Sequence, residues 1–175
     1  RIAMIMPRGQ QLLLPVNPVF IGASLVAALA FNMLPLGHVP WMPDALVVLL
    51  AFWGVHQPLR VGMGMAFLLG LCMDVQQSAL LGQHALAYTI LLYGTSRTHR
   101  RVLWFRPGQQ SLQMVGLFVV AHAVLLLVGM LAGGVFPGWS MVVAPVLEAM
   151  LWPLASWVLL APQRRSPDSS DKRAQ

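Results

Sequence analysis

The sequence predicts an all-α integral membrane protein, a bundle of six transmembrane helices. Three observations predict it. Only 9% of the 175 residues are charged and 58% are hydrophobic, whereas a soluble domain carries about a quarter charged residues. Apolar runs alternate with short turns rich in proline, glycine and polar residues. The cations gather in every second gap between those runs and leave the other gaps empty. The length suits one domain, and the mean hydropathy of +0.71 agrees with the composition.

Residues 1–17 form an N-terminal segment that includes Arg8; the chain opens Arg1-Ile2-Ala3, so Met4 or Met6 is read as the natural start. The first span covers Pro18 to Leu36, near the roughly 20 residues needed to cross the hydrocarbon. Ala28-Leu29-Ala30 resembles a signal-peptidase site, but the apolar run continues through Phe31, Met33 and Leu34, which favours an uncleaved anchor. The loop Gly37–Asp44 carries two prolines and Trp41, and no Lys or Arg. Span two, Ala45–Val55, is short, and His56–Arg60 is a tight turn. Span three runs from Val61 to Val75, Gln76–Ser78 is the next turn, and span four runs from Ala79 to Thr95, with Tyr88 and Tyr93 expected near an interface. A basic loop, Arg97–Gln113, mixes four arginines with Val102, Leu103, Trp104 and Phe105, a pattern that suits a segment lying on an anionic leaflet. Span five is Met114–Val135, Pro137-Gly138-Trp139 is a turn, and span six is Met141–Ala161. The six-helix domain therefore occupies 18–161, and the polar tail 162–175 reads as disordered. No internal repeat is visible.

Charge placement sets the expected topology. With six spans and both termini cytoplasmic, all 11 cations fall on the cytoplasmic side and the three outer loops hold none. The basic excess is thus topological and excludes nucleic acid as the expected partner; the basic loop points to membrane lipids instead.

Few side chains carry chemistry. Gly62, Ala66, Gly70 and Asp74 recur at steps of four, which puts three small residues and one acid on one side of a helix. Such a stripe lets another helix approach closely. It drifts about 40° per step, so it follows a neighbour that crosses at an angle. Asp74, at the outer end of the span, is open to three roles: fixing a cap or turn, contacting a partner, or binding an ion or substrate; with Gly62, Ala66 and Gly70, and with Leu81 and Gly82 beyond it, it makes up the candidate helix-packing or partner-contact set. Glu148 is the one acid expected within the hydrocarbon. Pro153 follows it and frees the carbonyl of residue 149, so a kink is expected below Glu148. His122 in span five is its expected partner. Glu148 is open to hydrogen bonding inside the bundle, to a proton or substrate site, or to a partner-facing role. Gly129 and Gly133 form a GxxxG read as bundle packing, and Cys72 reads as a buried small hydrophobe. The five histidines have no metal-ligand spacing, so no metal is expected. No nucleophile elbow, aspartate pair or phosphate-binding loop is present, and the spans hold too few polar groups to assemble acid, base and oxyanion functions. The chain is expected not to be an enzyme and to need no cofactor.

The stretch from Asp44 to Tyr93 resembles the rod shape-determining protein family MreD. The resemblance rests on Pro43-Asp44 before a short apolar span, Phe52-Trp53, Pro58-Leu59-Arg60, the glycine-rich run Gly62–Gly70, Asp74, and Leu81-Gly82, in that order. Leu151-Trp152-Pro153 followed by Arg164-Arg165 looks like the family's last span, whereas Glu148 and the length of the tail depart from its pattern. The resemblance implies a non-enzymatic, multi-pass scaffold of the bacterial inner membrane. It would bind MreC and help regulate peptidoglycan synthesis, working indirectly with MreB, a SEDS-type glycan polymerase and a penicillin-binding transpeptidase. The fold also resembles the small six-helix substrate-binding subunits of energy-coupling vitamin transporters, which leaves a small-molecule uptake subunit as the alternative.

Overall fold

The computed structural model describes residues 16–34 and 39–163, so the expectations for the chain start and for the tail beyond Gln163 lie outside the described residues. Every regular element there is helical: α1 (Pro18–Asn32), α2 (Ala45–His56), α3 (Met63–Gln76), α4 (Gln83–Leu103), α5 (Pro107–Leu131) and α6 (Val143–Leu160). A 3-10 turn, Trp139–Val142, leads into α6, and another, Ala161–Gln163, follows it. Two stretches, Gly108–Leu131 and Trp139–Gln163, are long and apolar enough to cross a membrane, while α1, α2 and α3 are apolar but shorter.

Local sequence explains where the helices start. Asn17 accepts from Val19 N at 2.9 Å, and Pro18, which has no N–H to satisfy, takes the first helical position. Asp44 caps α2 by accepting from Leu46 N at 2.8 Å and Val47 N at 3.2 Å. Before α4, Gly82 adopts φ +103°, a left-handed conformation that glycine takes without a Cβ penalty.

α2 is the hub, packed against α1, α4 and α6; α5 closes the far side between α4 and α6, and α3 lies on α4. α2 is apolar on every side, and such a helix belongs inside a bundle; Leu46, Leu50, Ala51, Phe52 and Trp53 are all fully buried. An aromatic run crosses the core from α1 to α5. Phe20 meets Trp53 at 6.0 Å between ring centroids, Phe52 meets Trp53 at 5.0 Å, and Trp152 stands 6.0 Å from Phe52 and 6.3 Å from Phe118. Both buried indoles are hydrogen-bonded, Trp53 Nε1 to Ser24 Oγ at 2.9 Å and Trp152 Nε1 to Gln110 Oε1 at 3.0 Å. That removes the cost of burying a polar N–H.

Several expectations are corrected. The segment expected as a basic loop is mostly helix: α4 continues to Leu103 and α5 begins at Pro107. Arg100 and Arg101 stand in the last turn of α4, where cations complement the helix dipole. Tyr88 is not at an interface but fully buried. Cys72 is exposed, because it lies on the side of α3 turned away from α4. Gly133 is not in a helical GxxxG; it lies past the end of α5 with φ +87°. The first and fifth helices also stop earlier than hydropathy suggests, at Asn32 and Leu131.

Candidate functional site

Five helices and the N-cap of α2 bring polar side chains to one end of the bundle, the end where α2, α4 and α6 begin. The centre is Asp44. Its Oδ1, besides capping α2, accepts from Asn32 Nδ2 of α1 at 2.5 Å, and its Oδ2 takes the hydroxyl of Tyr88 from α4. The Asp44 backbone N–H, left over by the cap, donates to Glu148 Oε1 of α6 at 2.9 Å. Glu148 is fully buried and bound to α5 through His122, whose Nε2 lies 3.4 Å from the same oxygen. The other imidazole nitrogen of His122 is 3.0 Å from the Phe118 carbonyl, so Nδ1 carries a hydrogen. Glu148 Oε2 has no partner among the described residues.

α3 joins through Asp74, which is also fully buried. Its carboxylate accepts from Gly82 N at 2.7 Å, His84 N at 2.7 Å and His84 Nδ1 at 2.8 Å. A carboxylate on the free N–H groups of a helix start is favoured by hydrogen bonding and by the helix dipole. The His84 ring then meets the Tyr88 ring edge-on at 5.8 Å, which links the Asp74 and Asp44 groups.

The sequence-predicted residues fall into two sets. Ala66, Gly70 and Asp74 of the stripe face inward. At Gly70 a Cβ would stand 2.5 Å from Ala85 N and 2.7 Å from His84 C, so the chain's own α4 occupies the closest approach. Gly62 is exposed, with open space where a Cβ would be, and Leu81 is exposed beside Gly82 in the turn that Asp74 holds. The expected pairing of His122 with Glu148 is present, and Pro153 stands inside α6 one turn beyond it. Sequence reasoning missed Asn32, Asp44, His84 and Tyr88. Asp44 carried a usable signal, an Asp directly before an apolar run; His84 lies two residues past a glycine, where a helix start was readable. Asn32 and Tyr88 gave none, because their partners are distant in the chain.

Beside this network lies a cavity of about 400 Å³. Asn32, Asp44, Gln77, Gln83, His84 and His122 supply its polar side, and α5 supplies much of its apolar side. Among the described residues, no group of three or more His, Cys, Asp or Glu side chains is arranged to hold a metal.

The described residues thus form an all-helical bundle with apolar outer faces, two stretches long and apolar enough to cross a membrane, and a polar network at one end with a cavity beside it. The chain belongs to the MreD family of rod shape-determining proteins, whose model matches residues 11–160. It is 30% identical over 130 residues to the rod shape-determining protein MreD of Haemophilus influenzae, covering 72% of this chain and 76% of that protein. No solved structure matches it.

Proposed function

We propose that this chain is a non-enzymatic scaffold of the rod-shape machinery that crosses the bacterial inner membrane six times, with both termini cytoplasmic, and binds MreC within the bilayer. Through MreC it helps regulate peptidoglycan synthesis, with MreB, the glycan polymerase and the transpeptidase as indirect partners. Family membership carries this reading, and it does not favour the vitamin-uptake alternative. The topology is supported by Arg60, whose guanidinium donates to the Val16 carbonyl at 2.8 Å and so ties the α2–α3 turn to the start of α1, the end to which the positive-inside rule assigns the cytoplasm.

The partner face is proposed to be the outer side of α3. The small-residue stripe is covered by α4, while Met65, Leu68, Cys72 and Val75 lie along the opposite side, all exposed. Cys72 is the only cysteine in the chain, so it is a native attachment point. A benzophenone maleimide placed there, in membranes that contain MreC, is expected to yield an adduct of this chain with MreC. The same probe on a C72S/A66C chain is expected to yield none. Absence of the adduct from Cys72 and from cysteines placed at Leu68 and Val75 would remove α3 as the interface.

A further inference from the structure

The cavity at the Asp44 end has an unbalanced charge pattern. Asp44 lines it, and Glu148 stands one contact behind the lining, bound to Asp44 and His122, which both line it. No Lys or Arg lines it among the described residues. Every hydrogen-bond donor that Asp44 receives is neutral: an amide, a phenol and two backbone N–H groups. Glu148 Oε2 is buried and unpartnered among the described residues. A buried polar atom without a partner costs free energy, and the Asp44 carboxylate, with only neutral donors, favours a cation beside it. Leu125, Leu126, Met130, Val135 and Met141 give the lining an apolar part. The volume lies in the range of small-ligand sites, roughly 300–1,000 Å³.

We propose that this cavity binds a primary ammonium group carried on an apolar body, with the ammonium on the Asp44–Glu148–His122 side and the apolar part along α5. Two sources offer that chemistry, the headgroup of phosphatidylethanolamine and a free alkylamine. The inference stands apart from the scaffold reading, since it rests on the cavity and not on any protein partner.

The test uses the full chain in nanodiscs of phosphatidylcholine, whose quaternary headgroup has no N–H donor. Saturation-transfer NMR with 4-phenylbutylammonium is compared with 4-phenylbutanol, each corrected for empty discs. At least tenfold tighter binding of the ammonium is expected. Asp44→Asn keeps the helix cap and removes a charge, so it is expected to weaken ammonium binding at least tenfold while leaving the alcohol unchanged. Glu148→Gln, which keeps the side chain's size, serves the same purpose if the Asp44 variant does not fold. Leu126→Trp, which fills the cavity, is expected to abolish ammonium binding. Native mass spectrometry then separates the sources. Phosphatidylethanolamine retained by the wild type and lost from Asp44→Asn assigns the lipid, and binding of the free amine without lipid retention assigns the amine. The proposal is overturned if the ammonium binds no tighter than the alcohol, or if the cavity-filling and charge-removing variants bind it as the wild type does.

Discussion

α2 and α3 are both short, with 12 and 14 residues, yet they occupy opposite environments. At 1.5 Å per residue they span about 18 and 21 Å, well under the roughly 30 Å of a hydrocarbon core. α2 is enclosed by α1, α4 and α6, so its sides meet protein. Its cap is a carboxylate that water need not solvate, because Asn32, Tyr88 and Glu148 surround it with donors and an acceptor. α3 has α4 on one side, while Met65, Phe67, Leu68 and Val75 remain exposed on the rest. Length and apolarity alone therefore do not say how a helix meets its surroundings. In the proposed six-span topology α3 needs a thinned bilayer or another helix to complete its cover, which is why its outer side is the proposed partner face.

The contrast can be broken most strongly at the hub. Trp53→Ala removes a fully buried indole and its bond to Ser24. A loss of about 3–5 kcal/mol is expected, measured as reversible unfolding in mixed micelles; a loss under about 1 kcal/mol would mean that α2 is not the core. Next is the α3–α4 contact. Gly70→Ala puts a methyl group against the backbone of His84 and Ala85, and about 3 kcal/mol is expected from overpacking, with α3 becoming accessible to protease in the same sample. Asp74→Ala strips the acceptor from the Gly82 and His84 N–H groups. About 2 kcal/mol should be lost, with hydrogen exchange faster at the start of α4 and unchanged in α2. Smallest is Leu68→Ala on the outer side of α3, 64% exposed. Stability should shift by less than about 0.5 kcal/mol while capture of MreC from Cys72 falls. An unchanged capture yield would separate exposure from partner binding.

Much of this was readable in the sequence, and the failures have physical causes. The helix order follows from hydropathy, and the expected starts of spans one and two, Pro18 and Ala45, are the starts of α1 and α2, whereas α4 begins at Gln83 rather than at Ala79. The pairing of His122 with Glu148 was readable because neighbouring antiparallel helices bring such depths together. The segment Arg97–Gln113 misled because its arginines suggest a surface loop, although Arg97, Arg100 and Arg101 are the exposed side of α4 while Val102 is buried. The stripe Gly62-Ala66-Gly70-Asp74 signalled a close approach but not to what, since spacing alone does not distinguish a partner from the chain's own next helix. The Asp44 group stayed hidden because Asn32, Tyr88 and Glu148 lie 12, 44 and 104 residues from it.

The 104-residue separation of Asp44 from Glu148 also orders the protein's biosynthesis. As the ribosome delivers the chain, α1 to α5 emerge first, and the Asp44 N–H and the His122 imidazole wait for a carboxyl that arrives only with α6. A chain stalled before Glu148 keeps these donors unmatched. Arrival of the last helix is therefore the step that seals the polar end, and a truncated chain differs from a finished one there.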